Sequence, residues 1–258
     1  MPSNVRGDEA VITGAQEINT QHSITRSRYR NTGVESMHIP DGFLDLSICA
    51  ITYALTAVFW IFAFRNAGRH LSEKQIPLMG TLTAVFFAAQ MMNYPVISGT
   101  TAHLLGGPIL AITLGPYAGL ISMTIIILIQ TLVFGDGGIT TFGANIWNMG
   151  VVGVFIPYII YLLAMRIARS QKGMYVGAFL GALIGDVVAA MCAGLELGLS
   201  TLSFPYSVSI AVAAMVAHHS IIGILEGIIT VAILSILQRT RPDLLKLPKL
   251  SPSWLGGN

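Results

Sequence analysis

The apolar residues of this chain are grouped into seven long runs, separated by short polar or glycine-rich connections. The runs cover residues 46–64, 78–97, 104–115, 116–134, 145–165, 174–199 and 207–237. Most of them contain about 20 residues, enough for a helix to cross a hydrocarbon layer about 30 Å thick. The pattern predicts an all-α fold, a polytopic helical membrane protein with about seven transmembrane helices.

The distribution of Lys and Arg predicts the orientation of these helices. After residue 36 the basic residues occur only within 65–74, 166–172 and the tail 238–258. Because Lys and Arg concentrate on the cytoplasmic side of membrane proteins, we expect these three stretches to lie inside. The chain must then cross an even number of times between the first two stretches. This parity counts the short run 104–115 as a crossing, and it predicts an outer N-terminus and an inner C-terminus.

Composition supports a membrane protein and excludes several other classes. Hydrophobic residues make up 53% of the chain and charged residues 10%, whereas a soluble domain has about 25% charged residues. A net charge of +2 is too small for a nucleic-acid binder. No phosphate-binding P-loop motif occurs, so we predict no ATP site in this chain. No H-E-x-x-H or G-x-S-x-G motif occurs either, and we predict that the chain is not an enzyme. Residues 1–36 are polar and carry both charges, which predicts a disordered tail before a membrane domain over 37–237.

The segment Met37-His38-Ile39-Pro40-Asp41 carries the first candidate chemistry. If the chain began at Met37, three nitrogens could bind one metal ion in a plane. They are the terminal amine, the deprotonated amide of His38 and its ring Nδ1. A fourth nitrogen would complete a square, a geometry that suits Ni(II) or Cu(II). His103, in the glycine-rich stretch 98–108, lies on the same predicted side and is our candidate for that fourth ligand.

Three polar residues near the predicted outer surface are candidates for supporting roles. Asp136 lies in the sequence Gly-Asp-Gly-Gly, and Asn145 and Asn148 are three residues apart, on one helix face. We expect them to orient the ligating imidazoles. The alternative is that residues 135–138 form only a turn.

Carboxyl groups inside the later spans are functional candidates, because ionisable groups are costly in a membrane. Asp186 and Glu226 are candidates for coupling to an energising partner, and Glu196 lies near the predicted outer end of its helix. The alternative is that these groups are protonated and make hydrogen bonds between helices.

Three motifs together resemble the CbiM/NikM family: MHIPDGFLD, GTTAHLLGGP and GDGGITTFGANIWNMG. The resemblance covers about 37–237. It implies the substrate-binding subunit, or S component, of an energy-coupling-factor (ECF) importer in the cell membrane. Such a subunit would capture Co(II) or Ni(II) outside and release it inward for cobalamin or nickel-enzyme synthesis. The implied metal ligands are Met37, His38 and His103.

The same resemblance implies partner chains, namely a transmembrane coupling (T) subunit, two ABC ATPase subunits and a small accessory membrane subunit. The sequence does not distinguish cobalt from nickel. The other function left open is a stand-alone cation channel or a proton-coupled metal carrier using Asp186, Glu196 and Glu226.

The sequence departs from the family in one respect, because 36 residues precede the Met-His pair. With these residues attached, Met37 has no free amine and the chelate loses one nitrogen. Either the active chain starts at Met37, or the tail is removed, or the site differs. We prefer a start at Met37.

Overall fold

The computed structural model describes residues 38–70, 75–92, 94–95 and 101–245. The predicted disordered tail 1–36, the candidate ligand Met37 and the end of the C-terminal tail after residue 245 lie outside the described residues.

The described residues form eight α-helices and one short pair of strands. The helices are α1 (Leu46–His70), α2 (Gln75–Gln90), α3 (Gly107–Leu114), α4 (Pro116–Ile129), α5 (Phe142–Asn145), α6 (Gly153–Ile167), α7 (Gln171–Leu199) and α8 (Val208–Thr240). Between α2 and α3, strands β1 (Tyr94–Pro95) and β2 (Thr101–Ala102) pair in antiparallel fashion. The π-helical segment Gln130–Phe134 extends α4, Ile146–Val152 joins α5 to α6, and the 3₁₀ turn Pro242–Leu245 follows α8.

Five helical stretches in the described ranges are long and apolar enough to cross a membrane. They are Leu46–Ala67, Pro116–Phe134, Phe142–Ile167, Gln171–Leu199 and Val208–Thr240. The prediction of a polytopic α-helical fold is confirmed. The number of crossings and the outer position of the N-terminus stay predictions.

The short run 104–115 forms a much shorter helix than a membrane span. Helix α3 has eight residues, all of them buried, and is about 12 Å long at 1.5 Å per residue. It begins after Gly106, whose φ of 75° places it in the left-handed region, and it ends at Gly115 before Pro116. A helix of this length lies inside the bundle and does not cross a membrane by itself.

The run 78–97 also differs from the expected span. Helix α2 begins earlier, at Gln75, and ends at Gln90. The expected helix over 91–97 is wrong at Tyr94–Pro95, which pairs as a strand with Thr101–Ala102. Pro95 has no backbone N–H and disfavours helix in the residue before it, so a helix cannot easily continue here.

Small residues bring the later helices close together. An ideal Cβ on Gly181 of α7 would lie 2.7 Å from the carbonyl oxygen of Pro157 in α6. A Cβ on Gly194 would lie 2.7 Å from the Cα of Val212 in α8. The glycine and alanine positions of α7 therefore allow backbones to approach as they do in membrane helix pairs.

The two ends of the bundle differ in chemistry. At one end, the carboxylate of Asp45, just before α1, accepts a hydrogen bond from the backbone N–H of Leu202 after α7. At the other end, the side chains of Gln171 and Gln238 join the start of α7 to the end of α8. This second end carries basic residues of the described helices, namely Arg65, Arg166, Lys172 and Arg239. By the same charge rule as before, we expect it to be the inner end.

Candidate metal centre

His38 is fixed in the structure by Asp136. The ring is buried, with 4% of the residue exposed. Its backbone N–H donates to Asp136 Oδ1 over 3.2 Å, and its ring Nδ1 lies 3.3 Å from the same oxygen. The amide nitrogen and Nδ1 of His38 therefore face one common point. These are the two atoms that a metal chelate at this residue would use.

The backbone of the next residue, Ile39, is held on both sides. Its N–H donates to Asn145 Oδ1 over 3.0 Å, and its carbonyl accepts from Asn145 Nδ2 over 3.0 Å. The same carbonyl accepts from the N–H of Gly138 over 3.1 Å and from the hydroxyl of Thr141. Segment 38–39 is thus bound to the loop 135–141 and to α5 much as a strand is bound to its neighbour.

Asp41 attaches the same segment to the loop at a second point. Its carboxylate accepts from the backbone N–H groups of Ile139 and Thr140 over 3.1 and 2.7 Å, and from the hydroxyl of Thr140 over 2.6 Å. The two backbone N–H groups belong to the turn that leads into α5, so Asp41 also stabilises the start of that helix.

The glycines of the loop 135–138 are required by this close approach. Gly137 has a φ of 92°, a conformation that L side chains rarely adopt. A Cβ at Gly137 would also lie 2.8 Å from the Cβ of His38. The Gly-Asp-Gly-Gly sequence is therefore more than a surface turn, because it forms the wall against which His38 packs.

His103 lies in the connection between β2 and α3, which is fixed from two other helices. Gln90 of α2 donates to the carbonyl of Leu105 over 2.7 Å. Glu226 of α8 accepts from the backbone N–H groups of Leu105 and Gly106, over 3.0 and 2.9 Å. A Cβ at Gly106 would overlap the ring of Phe86. The connection that carries His103 is thus held at Leu105 and Gly106, two and three residues after the histidine.

The rings of His38 and His103, hereafter the histidine pair, meet in the structure. Their centroids are 5.4 Å apart at an interplanar angle of 62°. Nδ1 of His103 lies 3.0 Å from the carbonyl oxygen of Leu104. Since a carbonyl only accepts, Nδ1 carries the proton, and Nε2 keeps the lone pair that can bind a metal.

Burial, and then the neighbouring His38, lower the pKa of His103 to about 4. The ring is therefore neutral near pH 7, which is the form that coordinates metal ions. In the described ranges, no three His, Cys, Asp or Glu side chains group as a metal site. Backbone nitrogen, such as the amide of His38, is a further donor beside the two rings of the histidine pair.

The other predicted residues occupy distinct positions around this pair. Asn145 contacts the backbone of Ile39, and Asn148 donates its amide to Glu196 over 2.7 Å. Asp186 contacts His219 of α8, and Glu226 contacts the connection after His103. Of the supporting residues expected to orient an imidazole, Asp136 contacts the ring of His38 through its side chain.

Sequence reasoning did not identify Gln90 and Thr141, and it gave Asp41 no binding partner. Gln90 carried a usable signal, since it directly follows the apolar stretch 84–89. Its burial with 1% exposed requires a hydrogen-bond partner. Thr141 and Asp41 carried no comparable signal, because polar residues are ordinary in loops.

Comparison with known proteins supports a role in metal transport. Residues 38–244 match the family described as the cobalt uptake substrate-specific transmembrane region, CbiM. A putative fused nickel transport protein NikMN of Archaeoglobus fulgidus is 44% identical over 220 residues, covering 85% of this chain and 71% of that protein. The cobalt transport protein CbiM of Geobacter sulfurreducens is 35% identical over 219 residues, covering 81% of this chain and 62% of that protein. A crystal structure of a truncated transition metal transporter aligns with a TM-score of 0.73 at 35% identity, covering 79% of this chain and 99% of that chain.

Proposed function

The chain belongs to the CbiM family of cobalt-uptake transmembrane proteins, and from this premise we propose that it is the metal-binding subunit of an ATP-driven importer. The resemblance seen in its three motifs is confirmed by this match, and the chain is a multi-pass membrane protein. Its substrate would be Co(II) or Ni(II), captured at the outer end of the bundle and released toward the basic end.

One observation carries the proposal. The amide nitrogen and Nδ1 of His38 face a common point, and the His103 ring lies beside it. With the amine of Met37, this arrangement supplies up to four nitrogens to one ion, a donor set that suits Ni(II) and accepts Co(II). Asp136 Oδ1 lies at this point and accepts the hydrogen bond from the backbone N–H of His38. A bound ion would replace the amide proton there and leave the carboxylate as its neutralising neighbour.

Replacing the two histidines separately tests the site. We expect that His38→Ala and His103→Ala each remove high-affinity binding of Ni(II) in isothermal titration of the purified protein, while the helical circular dichroism is unchanged. His218→Ala is the matched control, because His218 is exposed on α8 and bonded to the carbonyl of Ala214. Undiminished affinity in both alanine variants would refute the site.

The role of Met37 has its own measurement. We propose that the chain that binds metal begins at Met37, so that its amine is free to coordinate. Intact-mass spectrometry of metal-loaded protein should then give the mass of residues 37–258. Metal-loaded protein that retains residues 1–36 would show that the amine is dispensable.

The ECF-type partners proposed here are a transmembrane coupling subunit, two ABC ATPases and a small accessory membrane subunit. Because the sequence has no P-loop motif, an ATP-driven importer built on this chain would take its ATP hydrolysis from other chains. Uptake of ⁶³Ni(II) by cells should require these partner chains. Uptake by this chain alone, following a proton gradient, would instead favour the carrier.

A further inference from the structure

The histidine pair opens onto a cavity that also reaches two other helices. The cavity has a volume of about 130 Å³, and both rings of the pair contribute to its wall. The remaining polar lining includes Asn148, Asp186 and His219. An ion leaving the pair toward the interior of the bundle would therefore meet these side chains first.

Asp186 and His219 form a contact in which one carboxylate oxygen remains unused. Asp186 lies near the middle of α7 and is 3% exposed. Its Oδ1 lies 3.1 Å from Nδ1 of His219, whereas its buried Oδ2 has no hydrogen-bond partner among the described residues. A buried carboxylate oxygen without a partner is costly, so its persistence points to a ligand.

Asn148 adds a second unused oxygen to the same cavity. Its Nδ2 donates to Glu196 over 2.7 Å, which fixes the amide orientation. Its Oδ1 is buried and, within the described ranges, has no hydrogen-bond partner. Carboxylate oxygen, amide oxygen and imidazole nitrogen are donors that divalent transition ions accept.

We propose that Asp186, His219 and the side-chain oxygen of Asn148 form a second, weaker cation site, which receives the transported ion after it leaves the histidine pair. This inference rests on the proposed function. The first site offers nitrogen donors, whereas the second offers a carboxylate charge and fewer nitrogens. Two divalent ions in so small a cavity repel each other strongly, so the sites are filled in turn and the second is occupied when the first is empty.

The test therefore removes one ligand of the first site and examines the binding that remains. Purified full-length protein in detergent is titrated with Co(II) alone, and binding is measured by equilibrium dialysis. We expect His103→Ala to bind Co(II) at least about tenfold more weakly than the wild type. Adding Asp186→Asn or His219→Ala to this variant should remove the remaining binding. Adding His218→Ala, which changes the neighbouring exposed ring, should leave the remaining binding unchanged.

Two controls separate binding from folding. Asp186→Asn has nearly the same shape and can still accept from His219, so it should unfold at the wild-type temperature. If one second-site variant does not fold, the other decides the question.

The outcomes distinguish this inference from the proposed function. Residual binding in His103→Ala that is unaffected by Asp186→Asn and His219→Ala would overturn the second site and leave Asp186 as a link between helices. No residual binding at millimolar Co(II) would overturn it as well. If His103→Ala instead binds as tightly as the wild type, the ligand set of the proposed function fails, and loss of binding with Asp186→Asn would place the ion at the second site.

Discussion

Glu226 provides the sharpest test of how the fold positions the histidine pair. Its carboxylate is 2% exposed, and its two oxygens accept from the consecutive N–H groups of Leu105 and Gly106 over 3.0 and 2.9 Å. In Glu226→Gln only one side-chain oxygen remains, and the new amide N–H₂ faces a backbone N–H. One buried donor is then left without an acceptor.

The structure allows the size of the effect to be worked out. A buried donor without its acceptor costs about 1–3 kcal/mol. The connection that carries His103 can avoid this cost by moving away from residue 226. This movement lowers the fraction of molecules in which His103 is placed to bind the metal ion. Since apparent affinity falls with that fraction, we expect Ni(II) binding by Glu226→Gln to weaken about 5- to 150-fold.

Isothermal titration of the detergent-solubilised protein measures this loss, and thermal unfolding reports the fold. Thr230→Val is the matched control. Thr230 lies one turn further along α8, is 1% exposed, and has a hydroxyl without a hydrogen-bond partner in the described part of the chain. The control should bind as the wild type does. Wild-type affinity in Glu226→Gln, or an equal loss in Thr230→Val, would refute the positioning role.

Three further predictions concern the two histidines. Asp136→Ala removes the oxygen that faces both nitrogens of His38, and equilibrium dialysis should show about 10- to 100-fold weaker Ni(II) binding. Gly137→Ala introduces a side chain at a φ of 92° and 2.8 Å from the Cβ of His38, so thermal unfolding should show a loss of about 1–3 kcal/mol. Gly80→Ala, with nothing within 4 Å of the added carbon, should not destabilise. Because burial lowers the pKa of His103 to about 4, NMR titration of the apoprotein should find this ring neutral down to about pH 5, and a midpoint near 6.5 would contradict that environment.

The sequence predicted the helical membrane fold because each long helix is apolar along most of its length. It could not predict the length of α3. In a run that is apolar on every side, periodicity does not distinguish a membrane span from a short buried helix. Gly106 and Gly115 limit α3 to eight residues, and the positions of the basic residues contain no information about that limit.

The candidate site was partly predictable for a related reason. Three local motifs indicated the histidines, the glycine loop and the amides, since each motif is a contiguous stretch of sequence. The contacts that position these motifs join residues far apart in the chain. Glu226 is 120 residues from Gly106, and Asp136 is 98 residues from His38. A single sequence contains no local pattern that reveals such partners.

Helix α8 contacts both the connection that carries His103 and the cavity residue Asp186. Glu226 on this helix holds the connection after His103, and His219, two turns earlier, contacts Asp186 in the cavity. Its last turn is joined to α7 through Gln238, at the end that carries the basic residues. The helix has 33 residues and is about 50 Å long, so an axial shift imposed at the basic end would move Glu226 and His219 together. Such a shift would loosen the support of His103 while it changes the contact between His219 and Asp186, which is the coupling that the proposed importer requires.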